Sequence, residues 1–425
     1  MSPRDFRSLA SLMTRGALGP VAGAIPLFAL PLAGAAYLTN DQFAVWAILS
    51  TVSTLALSLD FGGMSFLAAN IHVSERTRVM RRASQLSATG SLAIGLLACT
   101  AWVPYSRTDA GQAFSLVEGV AALIAITLAS ALRSIVQLFA HAALTDRRFG
   151  MRNTLLVGHA LLTGAITIGV LAIWPSPWAL PAGWLCSGTL FAIVATVDRY
   201  PRRLPVPLQD GESYDAIAIP RTIATIASGI IMQADRWIIG ALGGPTLLAT
   251  YEIAWRVAVM PRFLSQNLTF VVGLDARRTL RDSLDDLIDY FRKSVLLSGM
   301  TTLAAGALGS AFYVLAAPHV GYQVSWTLFL SLLVAQSLFG LAASVSFIGN
   351  GLGDPWIDIP YLLACVCMGI FALVAALFSR VPDVFVYGNL AGISIASVWL
   401  LSAGQDKITR AALGRPARAN PGAVT

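Results

Sequence analysis

Ionisable side chains interrupt an otherwise apolar stretch that runs from residue 232 to residue 262. The charged residues in this stretch are Asp235, Arg236, Glu252, Arg256 and Arg262. Two apolar segments meet within it at a short turn, Gly243-Gly244-Pro245. Because an ionised side chain is expensive inside a membrane, such residues usually face a protein interior or a water-filled cavity. The pattern therefore predicts a transport path lined by charged groups.

Asp235 and Glu252 are expected at a similar depth on antiparallel helices. Asp235 lies about five residues from the outer end of the helix predicted at 217–240, and Glu252 about six from the outer end of the helix predicted at 246–272. Arg256 follows Glu252 by four residues and therefore shares its helix face. Two interpretations remain open. Glu252 and Arg256 form a structural ion pair, or the carboxylates bind a coupling proton or sodium ion while Arg256 meets an anionic substrate.

The other arginines of the second half are predicted to play different roles. Arg262 lies about 120° around the helix from Arg256, so it lines another wall or extends toward the membrane surface. Arg236 and Arg221 lie near helix ends, where a long side chain reaches the interface along an apolar surface. We therefore expect both of them to be interfacial anchors.

The first half carries a second set of polar residues. Asp60 lies deep in the second apolar segment, in the sequence LDFGG. Arg133, Gln137 and His141 recur every four residues and so share one helix face, which is expected to point away from lipid. His141 and His159 are expected to be packed or interfacial rather than proton relays, although histidine titrates in a useful range.

Aromatic side chains are predicted near the outer ends of the charged helices: Trp46, Trp237, Tyr251 and Trp255. Tryptophan and tyrosine commonly anchor membrane helices at the interface. The alternative for Trp255 and Tyr251 is stacking against sugar rings.

Composition places all of these residues in a membrane protein. The 425 residues are 56% hydrophobic and 12% charged, with a mean hydropathy of +0.70, whereas soluble domains average about 25% charged residues. The net charge of +7 comes from short loops, which argues against nucleic-acid binding. The four cysteines lie in apolar segments and indicate neither a disulfide nor a metal site. Motifs typical of hydrolases or nucleotide-binding enzymes are absent from the sequence, so we predict no enzymatic activity and no cofactor.

Taking about 20 apolar residues per crossing, the sequence predicts an all-α polytopic protein with twelve transmembrane helices. They are expected near 17–38, 43–70, 84–104, 114–143, 154–174, 178–197, 217–240, 246–272, 294–317, 324–350, 357–379 and 382–402. The stretch 275–294 is predicted to form a separate amphipathic helix. Most arginines and lysines fall on the side of the termini, so both termini are predicted to be cytoplasmic.

Short internal matches favour two six-helix lobes in a parallel pseudo-repeat. The segment 44–47 corresponds to 249–252, and 144–146 corresponds to 352–354. We therefore predict an N-terminal lobe at 1–200, a cytoplasmic linker at 201–216, a C-terminal lobe at 217–403 and a basic tail at 404–425, with a central cavity between the lobes.

Four degenerate motifs carry a family resemblance. They are Phe43–Ser50 with Leu59-Asp60-Phe61-Gly62, Ala143–Phe149, Asp235–Gly240 leading to Tyr251–Arg256, and Asn350–Gly353. On these residues the chain resembles a polysaccharide or O-antigen repeat-unit flippase of the Wzx type, in the multidrug/oligosaccharidyl-lipid/polysaccharide exporter superfamily. Asp354-Pro355 stands where a basic residue is often found in that family.

The resemblance implies that the chain flips a polyprenyl-diphosphate-linked glycan from the inner to the outer leaflet of a bacterial plasma membrane by alternating access. Arg256, Arg133 and Arg262 would then bind the diphosphate, and Asp235, Glu252 and Asp60 would be candidates for binding a proton or sodium ion. Membrane lipids, a polysaccharide polymerase and glycosyltransferases would be its partners. A multidrug or cation antiporter of the same superfamily is the alternative, and a membrane glycosyl-polymerase is a weaker one because the predicted external loops are short.

Overall fold

A computed structural model describes residues 6–58, 76–145, 148–197, 214–319, 325–354 and 356–413. The helices of the first half are α1 Phe6–Tyr37, α2 Asn40–Ser58, α3 Arg76–Tyr105, α4 Leu116–Thr145, α5 Phe149–Ile173 and α6 Ala179–Val197. A short 3₁₀ helix, Asp109–Gly111, lies between α3 and α4. The helices of the second half are α7 Tyr214–Ala258, α8 Met260–Asp282, α9 Leu284–His319, α10 Trp326–Leu352, α11 Ile359–Ser379, α12 Pro382–Ser402 and α13 Gly404–Leu413.

Helix α7 folds back on itself at Gly244, which divides it into two arms at 214–243 and 245–258. Gly244 has φ 75° and ψ −177°, a conformation that a residue with a side chain rarely adopts. Pro245 follows and favours an extended ψ at the residue before it. The predicted Gly-Gly-Pro turn is confirmed, and it brings the two charged segments side by side.

The helices form two lobes. In the first, α1 packs on α5, and α4 packs on α3, α5 and α6. In the second, α8 packs on α9 and α10, while α12 packs on α10 and α11. In the first lobe, α1 to α6 correspond to six of the predicted membrane helices. In the second lobe, the first arm of α7, the second arm of α7 together with α8, and α9 to α12 correspond to the other six.

Seven helical segments in the described part of the chain are long and apolar enough to cross a membrane. They are Arg82–Tyr105, Leu116–Ala140, Phe149–Ile173, Leu284–Leu315, Trp326–Leu352, Ile359–Ser379 and Pro382–Ser402. Leucine, isoleucine and phenylalanine side chains are widely exposed on these helices, as lipid-facing surfaces require. The protein is therefore a multi-pass membrane protein.

Two predicted helices have other bounds in the structure. The helix predicted at 246–272 is divided at Val259, where α7 ends and α8 begins with Pro261 in its first turn. Val259 itself keeps a helical conformation, and its backbone hydrogen bonds to Trp255 and Phe263 continue across the division. The separate amphipathic helix predicted at 275–294 does not form, because Ser283 divides that stretch between the ends of α8 and α9. Part of the tail predicted at 404–425 is helical: α13 buries Ile408, and its Lys407 Nζ donates to the Ile357 carbonyl at 3.2 Å.

The two lobes meet mainly where α2 packs on α7 and where α1 packs on α8. The predicted linker at 201–216 and the LDFGG sequence that contains Asp60 lie outside the described residues, apart from the first residues of α7. These two pairs of helices therefore make most of the described contact between the lobes.

Candidate functional site

A cavity of about 240 Å³ lies between the two lobes. The first lobe contributes Leu30, Pro31, Trp46, Ser50, Thr54, Arg133, Leu180 and Trp184 to its wall. The second lobe contributes Gln233, Trp255, Arg256, Val259, Arg262, Phe263 and Gln266. Among the lining residues that the structure describes, this central cavity has three guanidinium groups and no carboxylate.

Arg256 is held by both lobes. Its Nε donates to Glu252 Oε1 at 2.5 Å, so the predicted i, i+4 ion pair is confirmed. Its Nη2 donates to Ser50 Oγ of α2 at 2.9 Å. The side chain stays 16% exposed. A guanidinium fixed at two of its nitrogens and open to the cavity is well placed to bind an anion.

Arg133 reaches the cavity from α4 without a carboxylate partner in the described part of the chain. Its Cζ lies 4.3 Å from the centroid of the Trp184 ring, a cation–π contact across α4 and α6. Its buried Nη1 has no hydrogen-bond partner among the described residues. The tryptophan offsets only part of the cost of burying a cation.

Arg262 lines the same cavity as Arg256. It belongs to α8, whereas Arg256 belongs to the second arm of α7. Arg262 Nη1 donates to Gln336 Oε1 at 3.1 Å, and its Cζ lies 4.4 Å from the Phe339 ring centroid. A Cβ added at Gly340 would lie 2.7 Å from the Arg262 Cα, so α10 needs glycine where this arginine approaches.

Arg236 is buried, so its predicted role as an interfacial anchor is wrong. Its side chain is 0% exposed and donates from Nε to Glu252 Oε2. Its Nη1 donates to the Met232 carbonyl at 2.9 Å and to Gln233 Oε1 at 3.0 Å. The prediction considered only the helix end and did not include the partner that the fold at Gly244 supplies from the other arm of α7.

Asp235, Arg236, Tyr251 and Glu252 form one buried cluster behind the cavity wall. Asp235 accepts hydrogen bonds from the Tyr251 hydroxyl and from the Arg236 backbone N–H. Glu252 accepts from Arg236 and, outside the cluster, from Arg256. Two carboxylates thus balance two guanidiniums. Neither carboxylate lines the cavity, and both are already bound to protein donors in this structure.

The aromatic residues of α2 and α7 do not form an outer belt. Trp46, Tyr251 and Trp255 are all buried, because the inner faces of the two lobes enclose them. Trp255 reaches the cavity wall, where its ring lies 3.9 Å from Arg236 Cζ and 5.2 Å from Arg256 Cζ. Tyr251 does not line the cavity and has no free ring face there, so the geometry gives its predicted sugar-stacking role no support.

Two neighbouring hydroxyls of α2 join the lobes beside the cavity. Ser50 Oγ accepts from Arg256, and Thr51 Oγ1 accepts from Trp237 Nε1 at 2.8 Å. Each hydroxyl donates its own hydrogen to a carbonyl of α2, so it can act only as an acceptor toward the second lobe. We call Ser50, Thr51, Trp237 and Arg256 the inter-lobe clasp.

Sequence reasoning missed several cavity residues, of which Trp184, Gln233 and Ser50 make the most specific contacts. Trp184 carried no pattern that linked it to Arg133, since α4 and α6 are adjacent only in the folded chain. Gln233 lies within the charged stretch, and its spacing of three from Arg236 is a usable signal.

The remaining residues singled out from the sequence are not among the described residues that line the cavity. Asp60 lies outside the described residues, and nothing is described of the His141 side chain. His159 is buried between α5 and α6, with ring contacts to Trp184 and Phe191. Arg221 pairs with Asp358 at 2.8 Å. The described residues contain no group of three histidine, cysteine or acidic side chains that could hold a metal ion.

No family model matches the sequence, and no curated protein matches it. Solved structures do match the fold of this chain. A MOP superfamily transporter from Pyrococcus furiosus has a TM-score of 0.65 at 14% identity, with 97% of this chain and 99% of that chain covered. A MATE in complex with MaD5 has a TM-score of 0.64 at 15% identity, with 96% of each chain covered. An outward-facing multidrug resistance MATE family transporter of the MOP superfamily has a TM-score of 0.54 at 14% identity, covering 93% of this chain and 96% of that one. The chain therefore has the fold of these transporters over nearly its whole length.

Proposed function

We propose that the chain is an alternating-access transporter that flips polyprenyl-diphosphate-linked oligosaccharide repeat units from the inner to the outer leaflet. The observation that carries the proposal is the wall of the central cavity, which Arg133, Arg256 and Arg262 all line and where none of the described lining residues is acidic. A diphosphate is costly to move through a low-dielectric region unless it is paired. Guanidiniums stay charged and bind phosphate oxygens in pairs, so they lower this barrier.

Under this proposal the polyprenyl tail stays in lipid while the headgroup enters the cavity between the lobes. A proton or sodium gradient would drive the cycle, with Asp60, Asp235 and Glu252 as the candidate coupling groups. In this structure Asp235 and Glu252 are bound to buried donors, so coupling through either one would require the buried cluster to rearrange. The transporters of the same fold support a transport role rather than an enzymatic one.

A multidrug or cation antiporter is the second candidate, and the names of the structural relatives favour it at least as well. One relative is described as a multidrug resistance transporter. The relative from Pyrococcus furiosus is described as having a binding pocket of reverse polarity that suggests a different function. Net positive charge on the wall of a central cavity disfavours a cationic drug, because like charges repel strongly where water is excluded.

The experiment is carried out in cells that make a surface polysaccharide and depend on this chain for it. We expect Arg256→Ala to stop surface polymer and to accumulate lipid-linked repeat units while the protein still inserts in the membrane. Arg133→Ala, which breaks no ion pair among the described residues, should give the same result. Arg107→Ala is the control, since Arg107 is exposed in the connection after α3. Normal polymer in both cavity variants would overturn the proposal, and dye efflux lost in both would favour the antiporter.

A further inference from the structure

Gln233 lines the central cavity, yet its side-chain carbonyl points away from it. Gln233 Oε1 accepts a hydrogen bond from Arg236 Nη1 at 3.0 Å. Arg236 is fully buried and is not a cavity residue. An arginine can only donate, so the amide oxygen must be the atom that faces it. The hydrogen bond to Arg236 therefore fixes which of the two amide atoms of Gln233 faces the buried cluster.

The amide nitrogen is then left on the cavity side. Nε2 makes no hydrogen bond to the described residues, and it is not among the wholly buried atoms that lack a partner. The buried cluster holds this orientation, since Arg236 is itself bound to Glu252 and to the Met232 carbonyl. Gln233 therefore presents two N–H donors to the cavity from a support that cannot easily rotate.

We propose that Gln233 is a fourth ligand for the anionic group of the substrate and that Arg236 positions it. This inference rests on the proposed function, because it assigns a further contact to the same cavity. With Arg256 on the neighbouring arm of α7, Gln233 supplies neutral donors beside a charged one. The oxygens of a diphosphate are charged acceptors, which bind N–H donors more strongly than an alcohol oxygen does, and an ammonium group cannot accept at all, so donors on the wall favour the diphosphate.

Two substitutions at Gln233 separate ligand binding from a merely structural role. Gln233→Glu keeps an oxygen acceptor for Arg236, so the buried cluster retains its hydrogen bond, but it turns a carboxylate oxygen toward the cavity. Gln233→Met removes both the acceptor and the donors while keeping a similar length. A structural role predicts that the methionine variant is the worse of the two. The proposed ligand role predicts that the glutamate variant is the worse for binding.

The experiment measures binding of geranylgeranyl diphosphate by calorimetry to the full-length protein in lipid nanodiscs, with geranylgeraniol as the probe that lacks the phosphates. We expect about tenfold weaker diphosphate binding for Gln233→Met and a larger loss for Gln233→Glu. Binding of geranylgeraniol should not change in either variant. Gln85→Glu is the matched control, because Gln85 is exposed on α3, and it should bind like the wild type.

The outcomes distinguish this inference from the proposed function. Failure of the wild type to bind the diphosphate more tightly than the alcohol would overturn the proposed function and the role of Gln233 together. Wild-type binding with both Gln233 variants within twofold of it would overturn the role of Gln233 alone. A glutamate variant that binds normally beside a defective methionine variant would also overturn it, since that order indicates support of Arg236.

Discussion

The two lobes place arginine on the cavity wall in different ways. On the second lobe, Arg256 is paired with Glu252, which also binds the buried Arg236. On the first lobe, Arg133 lies over Trp184 and has no carboxylate partner in the described part of the chain. The balanced charges of the second lobe can hold the folded chain together, whereas the charge of Arg133 adds a burial cost that a ligand could offset.

Arg262 belongs with Arg133 in this comparison, although it lies on the second lobe. Its described partners are a glutamine, a methionine sulfur and a phenylalanine ring, none of which carries charge. The cavity therefore combines one neutralised guanidinium with two that are not neutralised by the described residues. An arginine's position on the cavity wall therefore does not determine how much it contributes to the stability of the fold.

The largest expected effect comes from removing a carboxylate from the second lobe, where the charges are paired. Glu252→Gln leaves Arg236 and Arg256 without their shared carboxylate, so we expect a loss of about 3–5 kcal/mol in the free energy of unfolding. Thermal unfolding of the purified protein in detergent measures it. Asp289→Asn is the control, because Asp289 is 56% exposed in its pair with Lys293 and should matter by less than about 1 kcal/mol. Equal effects would contradict the assigned role of Glu252.

An intermediate effect is expected on the first lobe, where Arg133 has no carboxylate partner among the described residues. There a substitution should weaken substrate binding without lowering stability. Arg133→Met should weaken binding of a polyprenyl diphosphate by about tenfold or more, because a charge-assisted contact is lost. It should leave the thermal unfolding midpoint unchanged or raise it, because an unpaired buried cation is removed. Calorimetry and thermal unfolding on the same preparation test both parts. Arg107→Met serves as the surface control, and a destabilised Arg133→Met that binds normally would reverse the comparison.

The smallest expected effect concerns the inter-lobe clasp, which links the two sides. The Thr51 hydroxyl and the Trp237 indole form a single hydrogen bond, so a double-mutant cycle of Thr51→Val and Trp237→Phe should give a coupling energy of about 1 kcal/mol. The same cycle with Thr100→Val should give none, since Thr100 is exposed on α3 and donates to its own helix. A coupling energy of zero between Thr51 and Trp237 would show that this hydrogen bond does not stabilise the contact between the lobes.

Much of the fold could be predicted from the sequence because it depends on local patterns. Apolar stretches of membrane length indicated the helices, and Gly243-Gly244-Pro245 indicated the turn in α7. The spacing of four between Glu252 and Arg256 predicted their ion pair. Residue counts from that turn also placed Asp235 and Glu252 at a similar depth, consistent with their shared contact to Arg236.

What the sequence could not supply are contacts between separate segments. Arg236 lies near a helix end, and only the opposing arm of α7 makes it a buried cation. Arg262 contacts Gln336 and Phe339 of α10, which are more than 70 residues away in the sequence. The orientation of the Gln233 amide follows from Arg236 being a donor, a fact that matters only after the two side chains are known to touch. Such features require the tertiary structure.

The most direct test of the central claim is the charge selectivity of the cavity. The wild-type chain in proteoliposomes is offered a fluorescent polyprenyl-diphosphate-linked disaccharide and a lipophilic cationic dye, and the transfer of each across the bilayer is followed. We predict that the diphosphate lipid crosses faster than in protein-free vesicles, that Arg133→Met slows its transfer, and that the dye does not cross faster. Accelerated transfer of the dye with no acceleration of the diphosphate lipid would contradict the proposed charge selectivity.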